Sequence, residues 1–356
     1  MVDRSDDDPV ASVSSVKDPF SSKRARRIDR MQVYETYAAW PELARRGFGA
    51  KFRLGRSDSR KAYMLGMGGS AAAGDILAGW LWSRHEVEAE VCKGVIPTTN
   101  MTGTLAIACS ASGQTEETIS MMKTALKRGA SLVSLSCGGR LAAESKTMDI
   151  PHIEMPKILA PRYMLPFMVF SCLAIVDAAL GLDSAHEAGE AIREMQRLRR
   201  QIDLDVPLQE NPAKRLALRL MNRTPAIYGA KVTRGVGIRF KNEINENSKR
   251  HATYDEMPEL FHNEIQAWEE LGAKFVPVIL RGDAEGERDA RLADALVNML
   301  SSMGKQPLDV GGEGRSSLAK LMTMVYKLDL TSYYIAIGGE RDPFPTPLIT
   351  RFKEVI

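Results

Sequence analysis

From Lys61 onward, short apolar runs alternate with longer stretches in which apolar residues recur at helical spacing. AYMLGM (62–67), VEAEVC (87–92), TLAIAC (104–109) and SLVSLS (131–136) are the runs; SAAAGDILAGWLW (70–82) and a segment from about Thr115 to Arg128 are the helical stretches. Apolar runs of this length fit strands buried on both faces, and strands alternating with helices predict a parallel sheet covered on both sides. The segment from about Arg162 to Gln201 predicts two helices, broken at Gly181-Leu182-Asp183, that connect this unit to the next. The same order then returns: PAIYG (225–229), the helical GVGIRFKNEINENSKR (235–250), KFVPVIL (274–280), a helix from about Arg288 to Met303, QPLDV (306–310) and a long helix from about Ser316 to Ile337. The pattern predicts an α/β protein of two tandem αβα lobes, each a mainly parallel sheet flanked by helices, over 31–207 (with the connecting helices) and 208–356. Residues 1–30 mix Asp, Ser, Lys and Arg with few apolar positions and predict a flexible extension. Its basic KRARR follows an acidic SDDD, which fits a solvated tail better than a nucleic-acid arm.

Composition narrows the partners. In 356 residues the formal net charge is only +3, which indicates neither a nucleic-acid surface nor a membrane-binding patch, though an anionic small substrate needs only local positive charge. The four cysteines, Cys92, Cys109, Cys137 and Cys172, form no C-x-x-C pair, and no H-x-H or H-E-x-x-H is present. No zinc site or disulfide framework is expected; the thiols read as buried and reduced, and no metal or other cofactor is called for. The N-terminus lacks the apolar core of a signal peptide, and the least charged stretch, Tyr163 to Val176, is shorter than the roughly 20 residues of a spanning helix. A cytoplasmic protein is expected.

Two glycine- and hydroxyl-rich turns carry the first chemistry. Gly66-Met67-Gly68-Gly69-Ser70 stands where a strand gives way to an Ala-rich helix, a place where backbone can approach a ligand and free N–H groups point at an anion. It is not a dinucleotide fingerprint, because Ala71 takes the position of the last glycine. Ser110-Ala111-Ser112-Gly113-Gln114-Thr115-Glu116-Glu117-Thr118 follows the strand TLAIAC and opens another helix. One hydroxyl there would be explained as a helix cap, but Ser110, Ser112 and Thr115 beside a glycine suit phosphate oxygens.

G-x-G-G-S after a first strand, followed about forty residues later by S-x-S-G-x-T-E-E-T, resembles the sugar isomerase (SIS) domain shared by phosphoglucose isomerases and aminosugar-phosphate synthases. The resemblance implies a phosphosugar site at Gly69, Ser70, Ser110, Ser112 and Thr115. Ala111 and Gln114 stand where relatives often carry Tyr and Asn, and neither change removes a hydroxyl of the set. Further along, Asn245-Glu246-Asn247-Ser248-Lys249 and Pro258-Glu259-Leu260-Phe261-His262-Asn263-Glu264 resemble the N-E-N-x-K and P-E-L-x-H-N-E motifs of bifunctional phosphoglucose/phosphomannose isomerases. Ala160-Pro161-Arg162 resembles that family's P-R turn, and Asp342-Pro343 through Lys353 its C-terminal segment, so the match spans roughly residues 33 to 356.

Aldose–ketose isomerisation opens a pyranose ring, removes a proton from carbon 2 and returns it to carbon 1 through an enediolate. A carboxylate held by flanking amides suits the proton transfer, which makes Glu246 the candidate base. Ring opening suits a histidine; of five, His262 lies in the matching motif, whereas His85, His152, His186 and His251 do not. The resemblance implies that His262 reaches the site from a partner subunit, making a homodimer with a shared site, and that Lys353 assists ring opening. Arg162 could stabilise the enediolate oxygen. Pro161 would sit at the substrate, and Thr346, within Pro345-Thr346-Pro347, matches a family position near carbon 2. The competing readings are a non-catalytic phosphosugar sensor, for which no DNA-binding module is evident, and an aminosugar synthase, for which the first thirty residues are too short to supply the nucleophile domain.

Overall fold

The computed structural model describes residues 18–356 except 57–59, 85–86, 97, 283–286, 354 and 356; the side chain of Lys353 is likewise outside the described residues. Three short helices, α1 (Ser22–Ile28), α2 (Val33–Ala38) and α3 (Trp40–Phe48), precede the first sheet. That sheet is built by β1 (Lys61–Gly66), α4 (Gly68–Arg84), β2 (Glu88–Cys92), β3 (Leu105–Cys109), α5 (Glu116–Lys127), β4 (Ser131–Ser136), α6 (Gly139–Thr147) and β5 (His152–Glu154). Its strands are all parallel in the order β2-β1-β3-β4-β5. The connecting helices α7 (Leu165–Leu180), α8 (Ala185–Gln201) and α9 (Pro212–Leu220) lead to β6 (Thr224–Gly229), α10 (Arg234–Ser248), β7 (Thr253–Glu256), β8 (Phe275–Arg281), α11 (Glu287–Ser302), β9 (Leu308–Gly311), α12 (Ser317–Gly338) and α13 (Pro347–Lys353). The second sheet is again parallel, in the order β7-β6-β8-β9.

The runs read from sequence include every inner strand, β1, β3, β4, β6 and β8, together with the edge strands β2 and β9; β3 is buried at every position, and β1 at all but Lys61. Two strands have no such signal. β5 has three residues, and β7 (TYDE) is polar and half-buried throughout; both lie at sheet edges, where one flank needs no apolar cover.

One core joins the lobes. Residues of β1, α4, α7, β6, β8, α10 and α12 share a single apolar cluster, so a helical layer lies between the two sheets. α7 is apolar nearly all round, which fits a helix enclosed by protein. Pro161–Leu180 is long and apolar enough to cross a bilayer, but 83% of its apolar window is buried inside the protein. α4 meets α10 and the 3₁₀ turn 231–233 before it backbone to backbone: a Cβ on Gly79 would overlap the Val232 carbonyl oxygen of that turn, and one on Gly235 of α10 the backbone of Asp75.

The expected flexible extension is corrected over its described part. Phe20 is fully buried with its ring 5.8 Å from that of Tyr334, and Asp29 accepts hydrogen bonds from the Val33 and Tyr34 amides and the Tyr333 hydroxyl. Arg24 and Arg27 both pair with Glu340. The polar composition of 22–28 belongs to a surface helix that buries only Ala25. Residues 1–17 of that extension lie outside the described residues.

Candidate active site

In the first sheet the winding direction reverses between β1 and β3: α4, which follows β1, packs on the face that joins the other lobe, and α5, which follows β3, packs on the opposite face. The loops after the two strands therefore diverge and leave a crevice at their carboxyl ends, the usual ligand position of an open parallel sheet. Both hydroxyl-rich turns fall there. Gly68, at φ +51°, begins α4 in a conformation that favours glycine. Ser70 Oγ accepts the Ala111 amide at 3.2 Å and ties the two loops together. Gly113, at φ +66°, packs where a Cβ would overlap the Gly138 carbonyl oxygen, so it too has no room for a side chain.

Thr115 holds the N-cap position of α5 but makes no capping bond; its Oγ1 lies 2.9 Å from Ser110 Oγ, which donates to it. The exposed Ser112 hydroxyl accepts the Gln114 amide at 3.2 Å. The α5 terminus thus keeps donors that a capping residue would have used. Gly69 is the contact between this cradle and the rest of the site: an added Cβ would stand 3.3 Å from Arg162 Cα, with Pro161 beside it.

Arg162 belongs to the 3₁₀ turn 161–164 that leads into α7, and it is buried. Its guanidinium lies over the Tyr163 ring, 4.5 Å from the centroid. Nη2 donates to the carbonyls of Pro343 (3.1 Å) and Phe344 (2.7 Å), while Nη1 stands 3.4 Å from Glu246 Oε2. Burial opposes its charge, but Tyr163, Glu243 and Glu246 outweigh that and raise its pKa. Glu246, on the last turn of α10, is 29% exposed against 7% for Arg162. A solvent-accessible carboxylate thus stands beside an enclosed guanidinium, next to the cradle, a pairing in which one group can take a proton and the other can stabilise negative charge.

The flanking amides do not hold Glu246, contrary to expectation. Asn245, with its amide nitrogen turned to donate, reaches the carbonyls of Lys241 (2.9 Å) and Arg250 (3.1 Å) and so secures the end of α10. Asn247 is buried: its Nδ2 lies 2.9 Å from Tyr37 Oη, 2.9 Å from Ser332 Oγ and 3.1 Å from Glu243 Oε2. Among the described residues, the side chain paired with Glu246 is Arg162. Arg162 is in turn held from below, because the buried Arg239 donates to its carbonyl at 2.7 Å. Arg239 also pairs with Asp329 (2.7 Å) and Glu243 (2.9 Å). Burial pushes the Glu243 carboxyl up to about 8 despite Arg239. The site thus rests on a polar layer shared by α2, α10 and α12.

The remaining candidates are placed unevenly. Thr346 is half-exposed and lies two residues beyond Phe344, whose carbonyl Arg162 grips. Lys353 ends α13, but its side chain lies outside the described residues. His262 is exposed at the end of the 3₁₀ turn 259–262, whose Leu260 packs with α11 on the face of the second sheet opposite α10. Within one chain it is not brought to Glu246. Lys249, the last letter of the N-E-N-x-K motif, is not among the site residues expected from sequence, yet its Nζ donates to Asp342 O at 2.6 Å beside Arg162. The motif spacing holds that signal; the contact, 93 residues away in sequence, does not show in it. A groove of about 1020 Å³ along β2 and α4 holds none of the motif residues and is lined by charges of both signs, including Asp75, Lys93, Glu90 and Arg234.

Two parallel sheets on a shared core, with a hydroxyl-lined cradle and Arg162 at the reversal of one and Glu246 brought to that arginine from the other lobe, define a two-lobed sugar isomerase domain protein. A family model described as bacterial phospho-glucose isomerase C-terminal SIS domain matches residues 209–356. The chain is 33% identical over 304 residues to the bifunctional phosphoglucose/phosphomannose isomerase of Caldicellulosiruptor bescii, covering 83% of this chain and 89% of that one. It is 30% identical over 293 residues to the protein of the same name from Aquifex aeolicus, covering 81% and 88%. A glucose-6-phosphate isomerase like protein from Thermus thermophilus shares the fold, with a TM-score of 0.61 at 17% identity over 94% of this chain and 100% of that one. The chain belongs to the bifunctional phosphoglucose/phosphomannose isomerase family.

Proposed function

We propose that this protein is an aldose–ketose isomerase that interconverts glucose 6-phosphate, mannose 6-phosphate or both with fructose 6-phosphate. The observation that carries the reading is the Glu246 carboxylate 3.4 Å from the enclosed Arg162 guanidinium, beside Gly69 of the cradle. The substrate phosphate would sit against Gly69, Ser70, Ser110, Ser112 and Thr115, where helix N-termini and hydroxyls supply donors. Glu246 takes the carbon 2 proton, the electron pair forms the C1=C2 bond, and negative charge gathers on O1 within reach of Arg162. The hydroxyl proton passes from O2 to O1, Glu246 returns its proton to carbon 1, and the ketose forms. The enediolate is planar at carbon 2, so the two aldose epimers pass through the same species; Pro161 and Thr346 line that end of the sugar. Ring opening falls to His262 of a second copy in a homodimer and to Lys353, and the enzyme works in the cytoplasm. Coupled assays of the purified protein with both aldose phosphates and with fructose 6-phosphate test the assignment. Turnover with incorporation of solvent deuterium at carbon 2 is expected; phosphosugar binding without turnover would make the protein a sensor.

A further inference from the structure

Three successive carbonyls of the segment leading to α13 are held by two cations of the site. Arg162 takes those of Pro343 and Phe344, and Lys249 takes that of Asp342. Asp342 Oδ1 accepts the Phe344 amide at 3.0 Å, a local turn that bunches these carbonyls together. On the other side Lys249 Nζ also donates to the Asn247 carbonyl at 3.1 Å, so one ammonium bridges the end of α10 to residues 342–344. Lys249 ends α10 at φ +57°, a left-handed position usually given to glycine or asparagine. A lysine there accepts an unfavourable backbone geometry, and what it adds is its side chain.

We infer that Lys249 is a positioning residue of the isomerase: its ammonium clamps residues 342–344 to the end of α10 and thereby sets Thr346 and α13 in register with Glu246 and Arg162. The inference rests on the isomerase reading for its kinetic consequence, but the clamp itself does not. Arg162 already spends Nη2 on the neighbouring carbonyls, so without Lys249 the segment would hang on the same guanidinium whose Nη1 faces Glu246. Lys249 keeps the two tasks separate.

The clamp has a titration of its own. Partial burial, followed by the charge of Arg162, lowers the Lys249 pKa to about 8, against the pull of Asp342 and Glu246; Arg341 also opposes the charge. Below that pH the bridge is charge-assisted, and as pH rises through it the ammonium loses its charge and one of its three donors. Turnover should therefore fall on the alkaline side.

Lys249→Met keeps the stem and removes the ammonium, whereas Lys249→Arg keeps the charge and a donor fork. In the full-length protein, Lys249→Met is expected to lower kcat by about 10²-fold, the scale of a misplacement of about 1 Å, with affinity for inorganic phosphate unchanged because the cradle is untouched. Lys249→Arg should recover most of that loss and move the alkaline limb of the pH profile upward. Hydrogen exchange of the 342–353 peptide should speed up in Lys249→Met and return to normal in Lys249→Arg. Unchanged exchange in Lys249→Met overturns the clamp whether or not the protein is an isomerase. An alkaline limb that stays in place in Lys249→Arg overturns its role in turnover. Absence of turnover in the wild-type protein removes the isomerase reading and leaves the exchange result to decide the clamp.

Discussion

Glu243 and Glu246 are one turn apart on α10 and meet opposite environments. Glu243 is fully buried between Arg239 and Asn247, whereas Glu246 opens on the cleft against Arg162. The two carboxylates cannot exchange roles, since only one can reach a substrate. Glu246→Gln keeps the shape and removes the base, so kcat should fall by about 10²- to 10⁴-fold while calorimetric affinity for fructose 6-phosphate persists. Near-normal turnover would remove Glu246 from the mechanism. In the cradle, Ser112 is exposed and, among the described residues, the Thr115 side chain is partnered by Ser110 alone, so alanine at either should leave the fold intact. Each change should raise KM more than it lowers kcat, as for groups gripping a part of the substrate that does not react. Unaltered KM in both would place the phosphate elsewhere.

α10 is the element that assembles the site. Its inward face sets Val236, Phe240 and Ile244 in the common core, and the same face carries Arg239, Glu243 and Asn247 into the polar layer. Arg239 is the keystone of that layer, because it pairs with Asp329 and Glu243 and holds the Arg162 carbonyl. Arg239→Met leaves the buried Asp329 without its cation and Glu243 without its partner, a change that costs about 3–5 kcal/mol when one partner of a buried pair is removed. Urea unfolding should show that loss together with a fall in turnover, since Arg162 loses its support from below. Wild-type stability in Arg239→Met would mean that the buried Asp329 does not depend on the arginine.

The whole molecule places the proposed base and the proposed ring-opening histidine on opposite faces of the second sheet. If His262 acts, it acts on a second copy, and each site needs two chains. Mixing Glu246→Gln with His262→Ala subunits should restore part of the activity through hybrid dimers carrying one intact site. No recovery, with subunit exchange confirmed by mass spectrometry, would return ring opening to groups of the same chain.

The inner strands and long helices were readable from sequence because their cause is local. A strand buried on both faces needs an unbroken apolar run, and a helix under a sheet needs apolar residues at its own period. The cradle was readable for the same reason: a strand, a turn and a helix start follow one another within a few residues, as from Leu105 to Glu116. The polar edge strands β5 and β7 escaped because pairing, rather than side-chain pattern, makes them strands. Residues 18–30 looked like tail because a helix that buries one alanine has almost no apolar signature. The candidate chemistry divides along the same line. The motifs marked Glu246 and Arg162, but which side chain faces Glu246 was settled by how two lobes meet on one core, and there Arg162 took the place expected of the asparagines. Lys249 reached Asp342 only because the chain returns there after α12. Short-range sterics and apolar periodicity are written into neighbouring residues, whereas a contact between distant segments exists only once packing has chosen which faces meet.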